Sequence, residues 1–174
     1  MAEICKGEKK IKINTKCGYD SDGFKTFTID DIKKSIDTSL NKFGRINTLF
    51  LHNPRKEIKN WPFLINFLLE YKKNNHINHI GISLARDFYF NKKIMKKFDY
   101  LQDEINLLRP YAINKLKDLN LKIMARSPLA SGCLSEKLSE NSKFSKQDYR
   151  SSWLGKKTRL KNILFQIKEV KKIT

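Results

Sequence analysis

The sequence predicts an α/β protein of about five parallel βα units, and three observations carry that reading. Short apolar runs alternate with longer amphipathic ones from end to end, as strands feeding crossover helices do. The strand-like runs stop at turn-forming or small residues. The stops are sharpest at Asn53-Pro54 and Ser127-Pro128, since proline cannot donate to a ladder. The residues with chemistry to offer, Lys16, His52, Ser83 and Arg126, all fall at the carboxyl ends of those strands. In a parallel barrel that is where the loops converge on a ligand.

The first strand is expected over Lys9 to Cys17, followed by a Gly-, Asp- and Ser-rich loop from Gly18 to Gly23. Thr28 then caps a helix, with Asp31 three residues on in a variant of the capping box. Ile29, Ile32, Ile36, Leu40 and Phe43 share one face of it, and Gly44 ends it. Ile46 to Leu51 is the second strand, closed by His52 and Pro54. Trp61 to Lys73 reads as a helix whose Phe63, Phe67 and Leu68 belong to the core. Ile77 to Ser83 is the third strand, with a short helix near Asn91 to Phe98. Tyr100 to Ile105 is the fourth, its strand character diluted by Gln102, Asp103 and Glu104. A helix over Pro110 to Leu119 and a fifth strand over Leu121 to Ala125 follow. A long polar loop, Ser131 to Ser152, leads to a last helix from about Lys157 to Lys172.

Composition narrows the function classes. A formal net charge of +18 invites a nucleic-acid reading, yet only seven of the 36 basic residues are arginine. The lysines are spread from end to end, and their clusters lack interleaved aromatics, so they read as solvated faces and a specific nucleic-acid partner is not expected. Cys5, Cys17 and Cys133 are odd in number and far apart, which supports neither a disulfide framework nor a zinc site and fits a reducing cytoplasm. No metal is expected. His76 and His79 have H-x-x-H spacing but straddle a strand entrance, away from the active face, and read as exposed non-ligands. The longest apolar stretch, Trp61 to Leu69, is broken by Asn66 and too short to span a bilayer, so no membrane partner is expected.

Six segments then occur in a telling order: Ile11 to Lys16 ending in Thr15-Lys16, Ile32 to Phe43 with Gly44, Thr48 to His52, His79 to Ser83, Leu101 to Leu108, and Ser127-Pro128-Leu129 with Gly132. Together they resemble the aldo-keto reductase family over nearly the whole chain. The resemblance implies a partial TIM-type (β/α)8 barrel. Residues 1–174 would form a single domain matching the third to seventh βα units, with the first two strands and the last absent. A full barrel needs about 250 residues.

The resemblance also implies an oxidoreductase that reduces an aldehyde or ketone with NADPH, its partner a small carbonyl substrate. Lys16 matches the lysine that stabilises a tyrosine phenolate, and His52 the histidine that hydrogen-bonds the carbonyl. The family's tyrosine and aspartate precede the lysine strand and match nothing here; Tyr19 and Asp20 follow Lys16 and do not inherit their roles. Activity of the chain alone is therefore not expected. Ser83 and Gln102 match the positions that hold the nicotinamide carboxamide. Leu84 stands where many members have asparagine, and Arg126 where many stack a tyrosine; a guanidinium stacks too, or pairs with a phosphate. Ser127, Pro128, Leu129 and Gly132 match the pyrophosphate loop, where small side chains leave backbone N–H groups accessible. Without the family pattern Lys16 would be one more solvated lysine, and His52 a loop histidine. A second reading is a catalytically inactive barrel remnant acting as a partner-bound or regulatory fragment. Free edges on the first and fifth strands, and an uncovered inward face formed by Ile11, Ile13, Leu49, Ile80 and Ile82, predict self-association or pairing with a complementary barrel fragment.

Overall fold

A computed structural model describes residues 8, 10–54, 58, 60–84, 91–109, 119–135 and 137–172. The chain falls into two compact units, one of Met1–Asp103 with Leu116–Met124 and one of Glu104–Lys115 with Ala125–Thr174.

The first unit is built on β1 (Asn14–Cys17), α1 (Ile29–Phe43), β2 (Ile46–His52), α2 (Trp61–Lys73), β3 (Ile77–Ser83), the single-turn α3 (Lys92–Met95), β4 (Tyr100–Glu104) and the start of β5 (Lys122–Arg126). The strands form one sheet in the order β1-β2-β3-β4-β5. The first three pairings are parallel. Lys122 N–H donates to Asp99 and Ile105 N–H to the Arg126 carbonyl, partners that advance together along β4 and β5, so the fifth strand runs parallel as well. The helix over Pro110 to Leu119 lies outside the described residues, save its last.

The expected caps form. Thr28 accepts from Asp31 N–H, while the Asp31 carboxylate takes the Thr26 and Thr28 hydroxyls at 2.6 Å each. Those two donors hold the Asp31 carboxyl below its usual range. Gly44 closes α1 at φ 75°, a left-handed conformation that glycine adopts without a Cβ penalty. In α2 the buried stripe is Trp61, Leu64, Ile65 and Leu68. Phe63, expected in the core, is 57% exposed, because it sits off that i, i+3, i+4, i+7 stripe.

β1 is shorter than expected. Lys9 lies outside the described residues, and the described residues from Lys10 to Ile13 are not strand. The Arg45 guanidinium takes the carbonyls of Glu8 and Ile11, so a side chain occupies acceptors that a neighbouring strand would otherwise use.

Register decides which face each residue occupies, since partners in parallel strands point the same way and successive residues alternate. Leu49 pairs with Thr15 and Ile80, and Leu51 with Cys17 and Ile82. Thr15 Oγ1 lies 3.4 Å from Ser39 Oγ of α1, which marks this as the helix-covered face. Leu49, Leu51, Ile80, Ile82 and Leu101 are at most 1% exposed there. The expectation that Leu49, Ile80 and Ile82 line the inward face is thus wrong. They form the layer between sheet and helices, and Ile13 joins the buried core while Ile11 stays 38% exposed. The inward face carries Asn14, Lys16, Thr48, Phe50, His52, His79, Gly81, Ser83, Tyr100 and Gln102 instead. His79 is half-buried rather than exposed, with its ring 5.3 Å from that of Tyr100.

The second unit holds the ends of β4 and β5, a 3-10 segment (Ala130–Ser135), α4 (Ser151–Leu154) and α5 (Lys157–Lys171). The expected polar loop from Ser131 to Ser152 thus contains two short helical pieces. Its core is Ala130, Cys133, Leu154, Leu160 and Ile167.

Candidate active site

In the first unit, the inward face ends in a level row. His52 pairs with Ser83 and Ser83 with Gln102, so three side chains of three adjacent strands stand abreast. Lys16 pairs with Phe50, which places it on the same face, about 7 Å along the strand direction below that row. Its side chain is exposed. Below the row, Phe50 fills the space over Gly81: a Cβ there would lie 2.5 Å from the Phe50 ring. The absence of a side chain at position 81 is what gives the Phe50 ring room there.

Ser83 is only 2% exposed, and its hydroxyl donates to Gln102 Oε1 at 3.1 Å. Gln102 Nε2 turns to the Met124 thioether at 3.3 Å. A thioether is a weak acceptor, so the amide N–H remains ready for a better one. Backbone bonds fix the row: Asn53 N–H donates to the Ser83 carbonyl and Leu84 N–H to the Gln102 carbonyl, both at 2.8 Å. Tyr19, in the loop after β1, lies with its ring 5.1 Å from that of His52.

In the second unit, Arg126 is half-buried at the end of β5 and the loop beyond it turns back on itself. Ser127, Ala130, Ser131 and Gly132 all adopt positive φ, between 49° and 87°. Ala130 N–H donates to the Ser127 carbonyl at 2.8 Å and Gly132 N–H to the Leu129 carbonyl at 2.9 Å. Two amides expected to be open to an anion are therefore committed inside the loop. The tightness of the 3-10 turns consumes them. Pro128 and Leu129 are exposed. Asn106, 7% exposed, anchors the loop by donating to the Ser127 carbonyl at 3.2 Å, while its own oxygen accepts from Leu108 N–H.

Sequence reasoning missed four residues of this architecture: Tyr19, Asn106, Met124 and Arg150. The Arg150 guanidinium lies beside Gly132, 3.5 Å from where a Cβ would be, and is held by the Asp148 carboxylate at 2.6 Å. That pairing holds the Asp148 carboxyl below its usual range and raises the guanidinium. Nothing in the local sequence marks Arg150, which comes from far along the chain. A cavity of about 530 Å³, lined among others by Lys10, Arg45 and His76, lies at the opposite, amino-terminal ends of the strands, away from the row. Among the described residues, no cluster of His, Cys, Asp or Glu could hold a metal ion, and no helix is long and apolar enough to cross a membrane.

The parallel strands carry lysine and histidine near their carboxyl ends, with the Gln102 amide level with His52 and Ser83. The model of the Aldo/keto reductase family matches residues 2–173, and the chain belongs to that family. Among solved structures, the glycerol dehydrogenase from Gluconobacter oxydans superposes with TM-score 0.78 at 19% identity, over 98% of this chain and 57% of its own. The holo form of an aldo-keto reductase from Bacillus halodurans gives TM-score 0.66 at 19% identity, over 83% of this chain and 53% of its own. At these identities the likeness establishes the fold, and the chain spans little more than half the length of either structure. A comparison with curated proteins finds no match.

Proposed function

We propose that the chain is a partial barrel domain of an NADPH-dependent carbonyl reductase in the cytoplasm, residues 1–174 standing for the third to seventh βα units as a single domain. The observation that carries this reading is the Ser83–Gln102 pair. A buried hydroxyl fixes the amide by its oxygen, and the amide N–H rests on a weak thioether acceptor. A nicotinamide carboxamide offers a stronger acceptor for that N–H, so the residues present fit the cofactor. When bound, reduced NADP would supply the hydride.

This chain's residues would bind and orient the reactants, while the phenol that gives up the proton matches none of them. His52, level with Ser83, would donate a hydrogen bond to the substrate carbonyl and orient it. The Lys16 ammonium would lower the pKa of a nearby phenol and so ready it to give up its proton. Arg126 would stack on the ring or pair with a phosphate. The turn from Ser127 to Gly132 would meet the pyrophosphate with its hydroxyls and remaining backbone, since the Ala130 and Gly132 amides are engaged. The outermost strands of the described sheet, β1 and β5, would pair with a complementary barrel fragment or a second copy.

Isothermal titration of the chain with NADPH tests the reading. Binding in the millimolar range or tighter is expected, weakened at least tenfold in Arg126→Ala. No heat at millimolar NADPH from a sample with a cooperative thermal transition would overturn it.

A further inference from the structure

We infer that the hairpin Gly18–Thr26 is a positioning device for His52, with Tyr19 and Lys25 as the residues that make it work. The hairpin is rigid from within. Tyr19 and Lys25 form an antiparallel bridge, Asp20 N–H donates to the Phe24 carbonyl at 2.9 Å, and Thr26 N–H to the Gly18 carbonyl at 3.2 Å. The Asp20 carboxylate closes the tip by accepting from Asp22 N–H at 3.0 Å and Phe24 N–H at 2.8 Å. Such a side-chain turn ties the tip of the loop to its own first strand.

Two contacts then tie this hairpin to the histidine. The Tyr19 ring lies 5.1 Å from the imidazole, tilted by 55°, within the range where ring pairs attract. Lys25 Nζ sits 5.9 Å from the Tyr19 ring centroid and donates to the Asn53 carbonyl at 3.1 Å. Asn53 follows His52 directly, in the left-handed region at φ 50°, and its own N–H is held by the Ser83 carbonyl. The main chain just beyond the histidine is therefore clamped at both its N–H and its C=O. The hairpin supplies one of those clamps and also an aromatic neighbour for the imidazole. A donor that must meet a carbonyl within about 10–20° gains from having its ring and its backbone fixed by the same element. The arrangement separates labour, with His52 touching the ligand and Tyr19 and Lys25 acting through it. The catalytic consequence rests on the reading of His52 given above; the positioning does not.

Histidine ring resonances of the full 174-residue chain, with selectively labelled histidine, test the inference. His79, packed on Tyr100 elsewhere on the sheet, reports that each variant is folded. Tyr19→Leu should move the His52 ring signals toward those of an unstructured histidine. Tyr19→Phe should restore most of the wild-type shift, because the ring rather than the hydroxyl makes the contact. Lys25→Met should move the same signals although it changes neither ring, because the clamp on Asn53 is gone. Should Tyr19→Leu also lose the His79 signal, Lys25→Met alone decides. Unchanged His52 signals in Lys25→Met, or a shift in Tyr19→Phe as large as in Tyr19→Leu, would overturn the inference. A chain with no turnover leaves every one of these readouts intact, so failure of the reductase reading is distinguishable from failure of this one.

Discussion

The two faces of strands β1 to β4 differ in kind. On the helix-covered face, Leu49, Leu51, Ile80, Ile82 and Leu101 are essentially without solvent exposure. On the inward face, one residue along in each case, stand Thr48, His52, Ser83 and Gln102, with Lys16 exposed beside them. The helix-covered face is wholly apolar at these positions, whereas the inward face mixes buried Thr48, Phe50 and Ser83 with the polar groups proposed to meet a ligand. Substitutions separated by a single position should therefore have opposite signatures.

The largest effect is expected at Ile80, fully buried between sheet and helices. Ile80→Ala should cost about 2–5 kcal/mol of unfolding free energy, from lost transfer energy and the cavity left behind. Urea denaturation followed by circular dichroism measures it, and a cost below about 1 kcal/mol would mean that this face is not the core.

Gly81→Val sharpens the comparison, because it lies on the inward face and should nevertheless behave as a structural substitution. The new Cβ would meet the Phe50 ring at 2.5 Å, so the aromatic floor must shift. An overpacking cost of about 1–3 kcal/mol is expected in the same denaturation experiment. A neutral result would show that Phe50 has room to move and does not support the row above it.

Cys17 offers a gentler probe of the covered face. Burial pushes its thiol up to about 12, so below that pH the folded protein keeps it protonated, and only the thiolate reacts. Iodoacetamide at pH 8 should leave Cys17 unmodified in the native chain and alkylate it after denaturation. Peptide mass spectrometry gives the answer site by site, and rapid native modification would show that the β1 end of this face opens to solvent.

Much of this was legible in the sequence, for reasons that differ element by element. Caps and stops are local, so Thr28, Asp31 and Gly44 could be read directly, and strand ends followed from Pro54 and Pro128. The facing of the strands was not legible. In β2 the run Leu49-Phe50-Leu51 is buried on both sides, and a continuous apolar run carries no alternation to say which side is which. Only the register with β1 and β3 resolves it. The positions of Lys16, His52 and Ser83 at strand ends were legible from the run lengths, while Gln102 stands in the middle of β4 and joins them only through pairing. Their division into a level row with Lys16 below it depends on pairing offsets that no single segment encodes. The contributions of Tyr19 and Arg150 depend on loop conformations, and composition alone does not specify these.

The central claim is that the inward row is a nicotinamide-binding surface distinct from the core behind it. The most direct test is the NADPH dissociation constant of Gln102→Leu, set beside its thermal transition. The substitution removes the amide that faces Met124 and leaves the buried neighbour Leu101 untouched. At least a tenfold weaker dissociation constant is expected, about 1.4 kcal/mol or more, with a midpoint of unfolding close to that of the parent chain. Unchanged affinity in a folded Gln102→Leu chain would contradict the account and remove the row from the binding site.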